Sequence, residues 1–135
     1  MRPEFVRSIT QLAGFVFTLG LMSAAPTQST EVWVAADPNT RSITRMEFSG
    51  NRSRVRIMAA CSPTDCDWGT VSVRNLDPKG VNSPGEGQPY ELVVDQSIAR
   101  REIRLNVQQE MTYFMRTVYK DRRPSKESQG TLRRQ

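Results

Sequence analysis

The nine residues Cys61-Ser-Pro-Thr-Asp-Cys-Asp-Trp-Gly69 hold both cysteines of the chain beside two aspartates and a tryptophan. Three chemistries fit such a cluster. A zinc site wants four Cys or His ligands, and the chain has two cysteines and no histidine. Asp65 and Asp67 would have to complete the set, and their spacing matches no calcium loop either, so no metal is expected. Thiol redox chemistry favours C-x-x-C within a strand–helix–strand setting, whereas the spacing here is C-x4-C among strand-like segments. The structural reading is a disulfide between Cys61 and Cys66 that closes a hairpin. Opposed residues of an antiparallel pair bring Cα atoms to roughly 4.5–5.5 Å, within what a disulfide tolerates. So small a ring contributes about 2 kcal/mol, enough to pin register.

Other reactive sets are missing. Without histidine, neither a Ser-His-Asp nor a Cys-His arrangement can be assembled. No Gly-rich phosphate loop or dinucleotide fingerprint occurs, and no cofactor is implied. A carboxylate pair for glycoside cleavage has candidates in Asp65, Asp67, Glu91 and Asp95. Trp33, Trp68, Tyr90, Tyr113, Phe114 and Tyr119 are the aromatic side chains available to line a pocket, although core packing is the commoner use.

The elements that must position these residues have a period of two. Glu31–Ala36 places Trp33 opposite Val32 and Val34, and Asp37-Pro38-Asn39 stops the run. Met46 and Phe48 alternate with Arg45 and Glu47. Across Ser49-Gly50-Asn51, Val55, Ile57 and Ala59 alternate with Arg54 and Arg56. This is the clearest hairpin of the chain. Val71 and Val73 share a face after Trp68. The Gly-, Pro- and Asn-rich stretch 75–89 reads as a loop long enough to be mobile or functional. Tyr90–Val94 resumes the β pattern, and residues 95–101 are open to a helical turn. Ile103, Leu105 and Val107 alternate with Arg104 and Asn106, and Met111–Tyr119 follows. Lys120–Lys126 reads as a charged loop, and a short last strand around Gly130–Arg133 is weakly marked. The expected fold is all-β: an antiparallel meander of seven or eight strands, closed into a barrel rather than folded into a sandwich.

The chain has 135 residues and a net charge of +5. It opens with Arg2 and Arg7, an apolar run from Leu12 to Met22, and the small residues Ser23-Ala24-Ala25. That order is a secretory leader over residues 1–25, with a run of about eleven residues against the roughly 20 of a membrane-crossing helix. A linker over 26–30 and one β domain over 31–134 would follow. Export places the cysteines where a disulfide persists, in a secreted or periplasmic protein. Arginines cluster at Arg41, Arg45, Arg52, Arg54 and Arg56, and again at Arg122 and Arg123. These are solvated faces, or an attraction for anionic polysaccharide, lipid head groups or an exported protein. No basic–aromatic pattern for nucleic acid is present.

Trp33-Val34 with Asp37–Arg45, then the motif CSPTDCDWG, resembles a group of small secreted bacterial β-rich proteins. Their repeated segments are W-V-x-x-D-x-x-T-R-x-I-T-R and C-x-P-T-D-C-D-W-G. The resemblance covers most of residues 31–74 and fades beyond, where Asp121 is followed by Arg122-Arg123-Pro124 instead of a Gly-containing turn. It implies no activity. A tryptophan in the first strand of a small meander is also similar to lipocalin-like and avidin-like barrels, in fold only. The function expected is a non-catalytic, exported, monomeric binding module for a small ligand, glycan or envelope component. The alternatives are an inhibitor or envelope accessory acting by protein contact, and a glycan-active enzyme using carboxylates.

Overall fold

Alternation decides which way each strand faces. The computed structural model describes residues 30–82 and 85–135, so the expected leader lies outside the described residues. Eight strands run in order: β1 Glu31–Ala35, β2 Ile43–Ser49, β3 Arg54–Ala59, β4 Cys66–Asn75, β5 Gln88–Asp95, β6 Ala99–Val107, β7 Glu110–Tyr119 and β8 Lys126–Arg134. Each pairs antiparallel with its neighbours in sequence, and β8 returns to β1, closing the barrel.

The expected hairpin of β2 and β3 forms in the register its alternation demands, with Phe48 opposite Val55 and Met46 opposite Ile57. Gly50, Asn51 and Arg52 turn the chain, all three at positive φ. Two bulges then set the inward faces. Thr44 has no partner between the pairs Ile43–Ala59 and Arg45–Met58, so Ile43 and Met46 both point inward although three residues apart. Across from β3, Ile57 faces two residues of β4, Trp68 and Gly69. Gly69 takes φ of 84° with open space where a Cβ would stand, so what it supplies is conformation.

Two elements differ from the sequence expectation. Residues 95–101 hold no helical turn: Gln96 N–H donates to the Ala99 carbonyl at 2.9 Å, and β5 reverses directly into β6. The final strand is nine residues long, from Lys126 to Arg134. Its polar composition hides it, because β8 is specified by pairing with β7 and β1 more than by its own propensity.

The interior is packed. Trp33, Ile43, Met46, Phe48, Val55, Ile57, Leu92, Val94, Ile103, Met111 and Leu132 belong to one buried cluster. A void wide enough for water would leave accessible surface on its walls, and Ile43, Met46, Val55, Ile57, Ile103, Met111 and Leu132 have none. The outward faces carry Arg45, Glu47, Arg56, Glu91, Glu102 and Arg116, half-buried or exposed. Apolar inside and charged outside is the reverse of a lipid-facing barrel. The 76–87 loop is anchored where described. The Asp77 carboxylate, 7% exposed, accepts the backbone N–H groups of Val81 and Asn82 at 3.0 Å each.

Candidate functional site at one end of the barrel

The inward row of side chains changes character toward the end where β1–β2, β3–β4, β5–β6 and β7–β8 connect. On β6 the inward phase runs Val107, Leu105, Ile103 and then the half-buried Arg101, with the fully buried Ala99 closing the strand at the rim. On β7 it runs Met111, Tyr113, Met115 and then Thr117 and Tyr119. On β8, Leu132 and Gly130 give way to Ser128 and Lys126. The packed core therefore ends one step before the rim, and a cleft of about 470 Å³ opens above it. Met115, Trp68 and Ile98 form apolar parts of its wall. Arg101, Gln96, Thr117, Ser128, Lys126 and Arg41 supply polar groups, and the disulfide sits on its edge.

That disulfide joins Cys61 to Cys66 with Cα atoms 5.4 Å apart. Cys66 opposes Ala59, so the bridge closes the connection beyond the paired strands and does not cross between directly opposed residues. The Cys61–Asp65 tip is exposed throughout. At its base Thr44 Oγ1 donates to Asp65 at 2.6 Å, tying the tip to the bulge of β2.

Trp68 is presented to the cleft by the β4 bulge, with Asp67 accepting the Gly69 N–H at 2.8 Å. Over its ring, 4.2 Å from the centroid, lies the guanidinium of Arg101. Arg101 Nη1 donates to Gln96 Oε1 at 2.6 Å. Burial pushes this guanidinium down from its ordinary value, with only Tyr119 acting the other way. Among the described residues no carboxylate pairs with it. Asp67 lines the same cleft but is held by Arg56 at 2.6 Å, and that hydrogen bond, with the Gly69 N–H, keeps its carboxyl below the usual range. Tyr119 is backed by Arg123, whose guanidinium lies 4.1 Å from the ring centroid while Nε bonds Asp121 at 2.7 Å. Lys120 joins Asp95 at 2.7 Å, bracing two neighbouring rim loops.

The candidate residues thus divide. Asp67, Trp68, Tyr119 and Arg41 meet at the cleft. Trp33 is 1% exposed in the core and donates from Nε1 to Glu31 at 2.6 Å, so it is not a binding residue of the cleft. Tyr113 is buried over Gly130, and Tyr90 is buried and bonded to Arg52 at 3.2 Å. Phe114 is exposed on the outer face. The carboxylates considered for catalysis are spent on separate partners: Asp65 on Thr44, Asp67 on Arg56, Glu91 on Arg74 and Asp95 on Lys120.

The basic cluster is broken up in the same way. Arg45 pairs with Glu47, Arg52 with Glu31, Arg56 with Asp67 and Arg123 with Asp121. Arg41, Arg54 and Arg122 are exposed with no carboxylate partner among the described residues. Arg101 and Lys126 were not legible as site residues. The readable signal was phase: extending the Ile103–Leu105–Val107 alternation one step back places Arg101 inside. The chain matches no family model, no curated protein and no solved structure.

Proposed function

We propose that the protein is an exported, non-catalytic binding module that takes a small ligand in the cleft at the disulfide-rimmed end of its barrel. The observation that carries this reading is the transition from a packed apolar interior to a half-apolar, half-polar cleft of about 470 Å³. That size and mixture suit a small molecule held by its apolar body and oriented by a few polar groups. The rim is braced by the Cys61–Cys66 disulfide and the Lys120–Asp95 pair, so the walls are held in place before anything binds. The disulfide is consistent with an oxidising, exported location, and the leader over residues 1–25 supports export in the finer sense.

Two measurements test the reading. N-terminal sequencing of material recovered outside the cytosol should find the chain beginning near Ala25. A screen of glycans, organic acids and lipids by amide chemical-shift perturbation should move resonances of Trp68, Met115 and Thr117 saturably, leaving Val55 and Ile57 still. A second reading, contact with a protein partner, is favoured by the exposed Cys61–Asp65 tip. It wins if no small molecule perturbs the cleft while the tip retains a partner stably in pull-down.

A further inference from the structure

Resting on the reading of the cleft as a small-ligand site, we propose its chemical class: organic anions, whose carboxylate or phosphate head is received by Arg101 and whose apolar body lies against Trp68, Met115 and Ile98. Arg101 is half-buried, and a cation drawn even partly out of water gains from a carboxylate partner. Arg52, the inward arginine at the opposite end, follows that rule through Glu31 at 2.8 Å. Arg101 departs from it, since its partners are the neutral oxygen of Gln96 and the face of Trp68.

The guanidinium carbon lies over the indole face at 4.2 Å, and Gln96 occupies Nη1 alone. Nε and Nη2 make no hydrogen bond to protein among the described residues. Those two donors form the fork that receives a carboxylate or phosphate bidentately. The surroundings have the matching sign. Lys126 and Arg41 stand on the wall, and its one carboxylate, Asp67, is already neutralised by Arg56. Burial lowers the affinity of Arg101 for its proton, a cost that a bound anion would reverse.

The test uses the two indole N–H resonances of the 15N-labelled protein. Trp68 reports the cleft, and Trp33, locked to Glu31 in the core, is the internal reference. Phenylacetate, decanoate and phenyl phosphate are titrated beside phenylacetamide, decanamide and inorganic phosphate. At least one organic anion should shift Trp68 saturably and bind about tenfold or more tightly than its neutral counterpart, as expected for a charge-assisted pair. Arg101→Gln should abolish that preference, Arg101→Lys should keep part of it, and Arg104→Gln on the outer face should leave it unchanged. An unmoved Trp33 resonance certifies that each variant is folded. Equal binding of acids and amides, or an Arg101→Gln variant that binds as before, overturns the anion assignment while leaving the cleft a ligand site. Inorganic phosphate binding as well as phenyl phosphate overturns the role of the apolar wall. If no probe of either charge moves Trp68, the cleft reading and the anion assignment fall together.

Discussion

At the end of the barrel opposite the cleft, Arg52 stands at φ of 64°, a left-handed conformation that costs a non-glycine residue about 1 kcal/mol or more. Its guanidinium offsets this by donating to both oxygens of Glu31 and to the Tyr90 hydroxyl. Burial works against ionisation of Glu31, but hydrogen bonds from Arg52 and Trp33 outweigh it and hold the carboxyl below its ordinary 4.5. A carboxyl depressed on folding contributes stability that is present above the unfolded value and lost as pH falls through the folded one. Glu31→Gln should therefore cost about 1–3 kcal/mol in urea unfolding at pH 7, with the penalty shrinking below pH 4.5. A penalty that is constant with pH would contradict the ion pair. Two glycines separate conformation from space. Gly130→Ala puts a Cβ 2.7 Å from the Tyr113 hydroxyl and should destabilise by about 1–3 kcal/mol. Gly69→Ala meets nothing, and its cost of about 1 kcal/mol should come from φ alone. Tyr113→Phe should relieve part of the first penalty and none of the second.

At the scale of elements, the β3–β4 connection is a braced rim. The disulfide closes a loop with a sequence separation of 5, for which loop entropy gives about 2 kcal/mol. The double variant Cys61→Ser, Cys66→Ser should lower stability by about that amount while keeping the β-sheet circular dichroism of the parent. Loss of the whole barrel on removing the bridge would show that it carries the fold rather than the rim. The bulges at Thr44 and at Trp68–Gly69 flank this connection on its two sides. They re-aim Ile43 into the core and Trp68 into the cleft, which is why the site gathers at this end.

For the molecule as a whole, closure is the decisive event. A strand edge left unpaired invites association with another chain, and the β1–β8 seam removes the last edge. The seam is short: three residue pairs, extended by Ala36 N–H to Thr131 and Gln135 N–H to Val32, each at 2.9 Å. Leu132 anchors it with no exposed surface. Leu132→Ala should cost about 2–5 kcal/mol, and hydrogen exchange should open the β1–β8 amides before those of β6–β7. Uniform exchange around the barrel would show that the seam is no weaker than the other ladders.

The sequence by itself determined the class of the fold, the hairpin of β2 and β3, the inward face of β6, and the pairing of its two cysteines. These follow from alternation and proximity, which are local. The tertiary structure decided how deep in the barrel each inward residue stands. Trp33, Tyr90 and Tyr113 look alike as aromatic strand residues, yet they join the core, while Trp68 and Tyr119 reach the cleft. Arg52 reads as surface charge until Glu31, 21 residues away, closes on it. Depth depends on register, on the two bulges and on closure of β8 against β1, and each of those is a relation between strands that periodicity within one strand cannot encode.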